Sequence, residues 1–350
     1  MTMKSDTASC DDATPVAAAA RPSRRRDRPW RAGTAARLAL ALVAFAWSGA
    51  WPGAWPGAGA AAALELDAAA IPWSRLVFQP PDRPEELTVE IGLTEIDAGR
   101  LPAPRDAASG APPAPPAPPA QPVGPTVWQL SSVFQVLYTG RTYRTDVWFS
   151  PEDASALLRH RDRLGRSANR KAYRYLADGV RRLRIEPDGG AEAELPPERW
   201  SLVKEDLYPF GAARGDCPVL IDPNVLLVIA SARAVGGAEE PLMLCVFNKK
   251  AIYRVRLTAE PGEPRQVSYL EGADGARREV RREAAIRTIR LEALPPESGD
   301  VEPETFEFFE MSGEIEIDLE AESGLPVRIS GEIAGLGRIA VALSEVELRP

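Results

Sequence analysis

The sequence predicts a mainly β protein, a curved antiparallel open half-barrel of about 10–12 strands enclosing one short apolar helix. Three observations carry this. Beyond residue 126 most of the chain alternates apolar and polar residues with a period of two, the mark of antiparallel strands with one wet face. One run, "DPNVLLVIASARAV" at 222–235, is apolar on nearly every side, and a helix without a polar face has to be enclosed. A flat sheet covers a helix from one side only, whereas a strongly curved sheet can wrap it.

Residues 1–63 read as an export signal. Arg21, Arg24, Arg25, Arg26, Arg28, Arg31 and Arg37 precede the short apolar core "LALALVAFAW" at 38–47. Small residues suited to cleavage follow at Ala60–Ala63. The apolar core is far below the roughly 20 residues of a membrane span, so the expectation is a periplasmic mature chain with no transmembrane span. Removing 1–63 takes 8 basic and 4 acidic residues from the 42 and 50 of the chain, leaving 34 and 46 and a formal charge of −12. That balance argues against nucleic acid as a partner.

Residues 64–350 read as a single half-barrel domain. The Pro/Ala-rich stretch 100–126, with "APPAPPAPPAQPVGP", is a semi-rigid linker inserted into it. The first strand, "ELTVEIGLTEI", places Leu87, Val89, Ile91 and Leu93 on one face. After the linker Trp128, Leu130, Phe134, Val136 and Tyr138 share a face, "TGRT" turns, and "TYRTDVWFS" returns with Tyr143 and Phe149. Strands at 156–165, 170–177 and 179–186 follow, bounded by Gly, Asn, Asp or Pro. Three more close the chain; the last changes phase between Leu343 and Val346, which a bulge near Ser344–Glu345 reconciles. Asp222–Pro223 starts the helix, because the Asp side chain accepts free N–H groups and Pro has none to waste. A central strand is the competing reading of the same apolar run. Gly236–Gly237 after it and the lack of alternation favour a helix ending near Arg233, with Asn224, Ser231 and Arg233 left to face water.

The order of "GLTEIDAG", "LLRHRDRLGRSANRKAYRYLADGVRRLRIEP", "DPNVLLVIASAR", "VFNKKAIYRVRLTAE" and "DLEAESGLPVRISGEIAGLGRIAVALSEVEL" resembles an uncharacterised family of exported Gram-negative proteins, domain of unknown function three-one-zero-eight. The matching features are Asp222 and Arg233 bounding the helix, Lys249, Lys250 and Tyr253 on a basic-aromatic strand, and the turn Glu322–Pro326. The resemblance spans roughly 85–348. It implies a half-barrel similar to the periplasmic lipoprotein carriers, with an apolar concavity and no activity to carry over.

Chemistry-bearing residues are few. Cys217 and Cys245 are 28 positions apart. In an oxidising compartment they form either a disulfide, which stabilises by about 3 kcal/mol on the chain-entropy model, or two buried thiols. With one histidine in the chain they make no zinc site, and no cofactor is read. His160 and Asp162 share a strand face, but no third catalytic group accompanies them, so no enzyme is expected. Ten Lys or Arg fall between 159 and 184 against Asp162 and Asp178. Arg159, Arg161 and Arg163 on one strand face form either an anion site or internal pairs with the acidic strands at 302–322. The stripe Trp128, Phe134, Tyr138, Tyr143 and Phe149, with Leu226, Leu227 and Ile229 of the helix, is the candidate ligand-binding lining. The expected partner is a lipid-like or amphipathic envelope ligand; an envelope scaffold acting through protein–protein contacts is the alternative.

Overall fold

The computed structural model describes residues 66–102, 124–165, 168–210, 217–235, 240–272, 276–294 and 306–349. The export signal read at 1–63 and most of the Pro/Ala linker lie outside them. Among the described residues there are sixteen strands, more than alternation alone resolves. The first eight are β1 (Trp73–Gln79), β2 (Leu87–Asp97), β3 (Thr126–Val136), β4 (Arg141–Phe149), β5 (Ala156–Leu164), β6 (Asn169–Tyr175), β7 (Gly179–Glu186) and β8 (Leu202–Pro209). The second eight are β9 (Leu242–Asn248), β10 (Ala251–Pro261), β11 (Arg265–Glu271), β12 (Arg278–Ala284), β13 (Ile286–Leu294), β14 (Met311–Glu320), β15 (Pro326–Ile333) and β16 (Gly337–Leu348). One four-residue helix, α1 (Gly190–Ala193), and the long apolar one, α2 (Leu226–Val235), complete the regular structure with short 3₁₀ turns.

Fourteen strands form one continuous path, β8-β7-β6-β5-β4-β3-β2-β1-β16-β15-β14-β13-β10-β9. The sheet stays open, because β8 and β9 end the path without pairing. The hairpin β11–β12 lies off this path. It touches β16 through a short parallel contact, Leu270 opposite Glu345 and Glu271 opposite Val346, where β15 has already left β16 at Ala342. The phase change in the last strand is a bulge: Val77 of β1 faces Glu345 and Phe78 faces Leu343, so Ser344 is skipped. The Ser344 hydroxyl donates to the Val77 carbonyl at 3.0 Å.

The run from Asp222 is helical, beginning as a 3₁₀ turn at Pro223–Val225 and continuing as α2. Val225 through Ser231 are fully enclosed, packed against β1–β4 and β13–β16 in the main core. The expectation that Asn224 and Ser231 face water is corrected, because both are buried. Each instead has a partner from the wall. The Trp73 indole N–H donates to Ser231 Oγ at 3.1 Å, and the Phe309 backbone N–H donates to Asn224 Oδ1 at 3.2 Å. At the far end Arg287 donates to the Ala234 carbonyl and Arg233 to the Glu240 carbonyl, which suits the negative end of a helix.

The helix start is held by charge. Asp222 Oδ1 accepts from the Asn224 N–H at 3.0 Å, while Oδ2 accepts from the Tyr175 hydroxyl at 3.2 Å and lies 3.3 Å from Arg159 Nη1 of β5. Desolvation pushes the Asp222 carboxyl above the usual carboxylate range, opposed by Arg159 and by the hydrogen bonds. Just before it, Cys217 and Cys245 form a disulfide with Cα atoms 5.7 Å apart. The Ala156 N–H donates to the Leu220 carbonyl, and Ile221 exchanges hydrogen bonds with Cys245 and Phe247 of β9. Segment 217–222 therefore bridges two strands that are far apart in the sheet order.

Two stability outcomes follow from this anchoring. Asp222→Asn keeps the cap but strands the Arg159 charge. It is expected to cost about 3–5 kcal/mol in urea unfolding. Arg159→Met/Asp222→Asn should recover more than half of that; a single variant within 1 kcal/mol of the parent would refute the anchoring role. Cys217→Ala/Cys245→Ala is expected to lose about 3 kcal/mol in the same assay, as reduction of the parent should.

Candidate functional site: a basic cavity with apolar lining

Beyond the helix, the concave face of β3–β8 is not filled. Its residues follow from the register. Phe134 of β3 faces Tyr143 of β4, which faces Arg163 of β5. Arg161 faces Lys171 of β6, which faces Arg184 of β7, which faces Lys204 of β8. Arg159, Tyr173, Arg182 and Asp206 form the next row toward the core. Apart from Arg159, these rows line a cavity of ≈ 760 Å³.

The remaining lining comes from two tight turns. Asn248 to Ala251 joins β9 to β10, with Lys249 at φ 57° presenting Lys249 and Lys250. The second turn is closed by paired hydrogen bonds of 2.8 Å between Phe308 and Met311; its central residues Phe309 and Glu310 sit at φ 45° and 63°. Left-handed backbone at non-glycine residues costs on the order of 1 kcal/mol or more each. Here it is held by the surroundings: Asn248 Nδ2 donates to the Glu307 carbonyl at 2.6 Å and the Phe309 N–H reaches Asn224. The turn brings Glu307 and Glu310 to Arg161, with Glu310 in direct contact and Glu307 at 3.7 Å; Glu307 also lies 3.0 Å from Lys249.

Phe134, Val136, Ile333, Ala334 and Leu336 add apolar lining to the cavity. Tyr173 and Tyr208 add aromatic lining, and both rings stand within 6.3 Å of the buried Phe247 ring, centroid to centroid. Guanidinium groups stack on these rings and their neighbours: Arg161 and Arg163 lie 5.7 and 5.8 Å from the Tyr143 centroid, Arg159 5.8 Å from Tyr173, and Arg182 5.1 Å from Tyr208.

Nine Lys or Arg line the cavity against three carboxylates. Arg182 donates to Asp206 at 2.6 Å, and Arg161 has its two glutamates. Arg163 and Lys171 have no carboxylate partner among the described residues. The Nε atoms of Arg161, Arg163, Arg182 and Arg184 are buried without a hydrogen-bond partner in the protein. Desolvation, then repulsion from Arg161, Arg182 and Arg184, pushes Lys171 down to about 8, with Glu307 opposing. Crowding cations this way makes the cavity strongly electropositive.

The structure separates the residues proposed from sequence. Phe134 and Tyr143 line the cavity, as do Arg161 and Arg163. Trp128, Phe149, Leu226, Leu227 and Ile229 do not line it; they are enclosed in the core, where Trp128 and Phe149 pack edge to face. Tyr138 is not on β3. Its backbone belongs to the 3₁₀ turn Leu137–Thr139 that precedes Gly140 at φ 61°, and its side chain lies outside the described part. Arg159 is taken by Asp222, and Arg161 does pair with the acidic segment near 307–310, so internal pairing and open charge coexist along one strand. His160 packs against Trp148 on the outer face, and Asp162 is held by Arg170 at 2.5 and 2.6 Å. Sequence reading missed Lys171, Arg184 and Lys204 as a set, although their parity on successive strands carried the signal. Glu307 and Glu310 had no such signal.

No protein-family model matches the chain, so membership of the family its motifs resemble is not shown, and no curated protein matches it. A crystal structure of a beta-barrel-like protein of domain of unknown function DUF1849 from Brucella abortus is 9% identical, over 80% of this chain and 98% of that one, with a TM-score of 0.31. A likeness at that level is too weak to carry function across.

The Lys171 environment has a measurable cost. At neutral pH its charge is held against desolvation and repulsion, and the penalty is fully present below about pH 8. It fades as pH rises toward the ordinary lysine value of 10.5, because the folded state releases its proton first. Lys171→Met should therefore raise the melting temperature at pH 7 by about 2 °C or more. The gain should shrink by about pH 10; a destabilised variant at pH 7 would contradict this account of the cavity.

Proposed function

We propose that this chain binds an amphipathic component of the cell envelope in its half-barrel concavity, as a periplasmic binding protein without catalysis. One observation carries the reading: a single cavity of ≈ 760 Å³ is lined both by apolar side chains and by crowded cations. That size falls in the range of small-molecule sites. The apolar lining would hold a hydrocarbon part beside Phe134, Val136 and Leu336, and the cations an anionic part. The disulfide supports an oxidising compartment, and no helix among the described residues is long and apolar enough to cross a membrane. The ligand does not need to displace the helix, since the open space lies beside it.

A second reading, an envelope scaffold, draws on a different feature. Strand β8 ends the sheet path, and Leu202, Val203 and Leu207 on it are 41–53% exposed, an apolar edge of the kind that pairs with other chains. The two separate in one experiment. Chain isolated from envelope material and extracted with organic solvent is expected to yield a stoichiometric amphiphile by mass spectrometry. An environment-sensitive acyl dye should bind the stripped protein, and Phe134→Asp or Leu336→Asp should weaken it at least tenfold. Absence of both the copurified molecule and dye binding would remove the binding reading and leave the scaffold.

A further inference from the structure

We infer that the anionic end of the ligand is a phosphate ester, seated against Arg163, Lys171 and Arg184. This rests on the amphiphile reading and names the chemistry of its head.

The three cations come from adjacent strands. Lys171 is directly opposite Arg184 on β7, and Arg163 on β5 is the diagonal neighbour of Lys171, its own partner being Asn169. Direct and diagonal neighbours on one sheet face stand roughly 5 and 7–8 Å apart at Cβ, so one compact group can reach all three side chains. Elsewhere in the cavity much of the charge is answered, Arg141 at the β4 end being an exception. Arg161 has Glu307 and Glu310, Arg182 and Lys204 share Asp206, and Lys249 has Glu307. Arg163 and Lys171 are thus neighbouring cations without a carboxylate among the described residues, with the buried Nε of Arg184 beside them; Arg184 spends its Nη2 on Glu186.

The chemistry of the head follows from what would satisfy this arrangement. A carboxylate offers one negative charge and two oxygens in a plane. A phosphate monoester carries about −1.5 to −2 at neutral pH and has three strong acceptor oxygens pointing in different directions, matching donors that arrive from three strands. Arginine forks favour phosphate and carboxylate alike, so it is the number of uncompensated cations and their arrangement around Lys171 that select phosphate. Desolvation and repulsion from Arg161, Arg182 and Arg184 lower the proton affinity of Lys171, in keeping with a crowded cationic niche. The stacking of Arg163 on Tyr143 keeps its guanidinium pre-oriented.

The test compares dodecyl phosphate, dodecanoate and dodecyl maltoside, each below its critical micelle concentration, by calorimetry on the delipidated chain, with inorganic phosphate as a fourth probe. Dodecyl phosphate is expected to bind at least tenfold tighter than either of the other two amphiphiles. Arg163→Gln and Lys171→Met should each weaken dodecyl phosphate at least tenfold while leaving dodecyl maltoside unchanged; circular dichroism and melting curves verify that both variants fold. Dodecanoate or dodecyl maltoside binding as tightly as dodecyl phosphate would overturn the phosphate head while sparing the amphiphile reading. So would dodecyl phosphate affinity unaffected by both substitutions. Inorganic phosphate binding as tightly as dodecyl phosphate, with the same loss on substitution, would uphold the phosphate niche and count against the amphiphile. If none of the four binds, both fall.

Discussion

The molecule depends on the enclosed carboxylate of Asp222. A helix that is apolar on all sides gains most of its stability from burial, but burial also takes its first N–H groups out of water, where an unanswered donor costs on the order of 1–3 kcal/mol. Asp222 answers one of them directly. A buried charge then needs an opposite charge, and Arg159 reaches in from β5 to supply it, with the Tyr175 hydroxyl filling a second acceptor position. The helix is thereby fixed to the wall at one end, and segment 217–222 is fixed to β9 by the disulfide and backbone hydrogen bonds. An open sheet with unpaired ends is held in its curved form by what it wraps.

From that anchor, compensation weakens along a single strand face. Arg159, Arg161 and Arg163 recur with period two on β5. The first is paired with the helix cap, the second with two glutamates delivered by a strained turn, and the third with no carboxylate among the described residues. The same series of residues is structural at the core and open at the cavity. Cations on β6 and β7 continue the open end, and their mutual repulsion is a destabilising feature that folding alone does not require. The left-handed turns at Lys249 and at Phe309–Glu310 are the other locally unfavourable features, and both border the same space. Strain and uncompensated charge gathered at one cavity are what a binding site, rather than a packed core, is expected to show.

Much of this was legible in the chain. Period-two alternation of apolar and polar residues located β2, β3, β5, β6 and β7 and the C-terminal strands, although β7 and β15 prove to be largely buried on both faces. Strands such as β9, "LMLCVFN", are apolar on successive residues and were harder to separate from other buried segments. Asp222–Pro223 and the apolar run revealed the helix, and the phase change revealed the bulge at Ser344. The aromatic stripe misled as a lining, since Trp128 and Phe149 differ from Phe134 and Tyr143 only in their distance along the same strands. Those nearer the helix are sealed beneath it, and the sequence has no measure of where the helix stops covering the sheet.

The sequence by itself determined the β class, the enclosed helix with its acidic cap and the arginine-rich strands, because period and propensity act between residues close along the chain. Only the tertiary structure decided which arginines are neutralised. The partners of Arg159 and Arg161 lie 63 and about 150 positions away, brought near by a sheet order that places β5 across the concavity from the 306–311 turn. Charge compensation depends on distance in space and on solvent exclusion, and neither is written in local pattern.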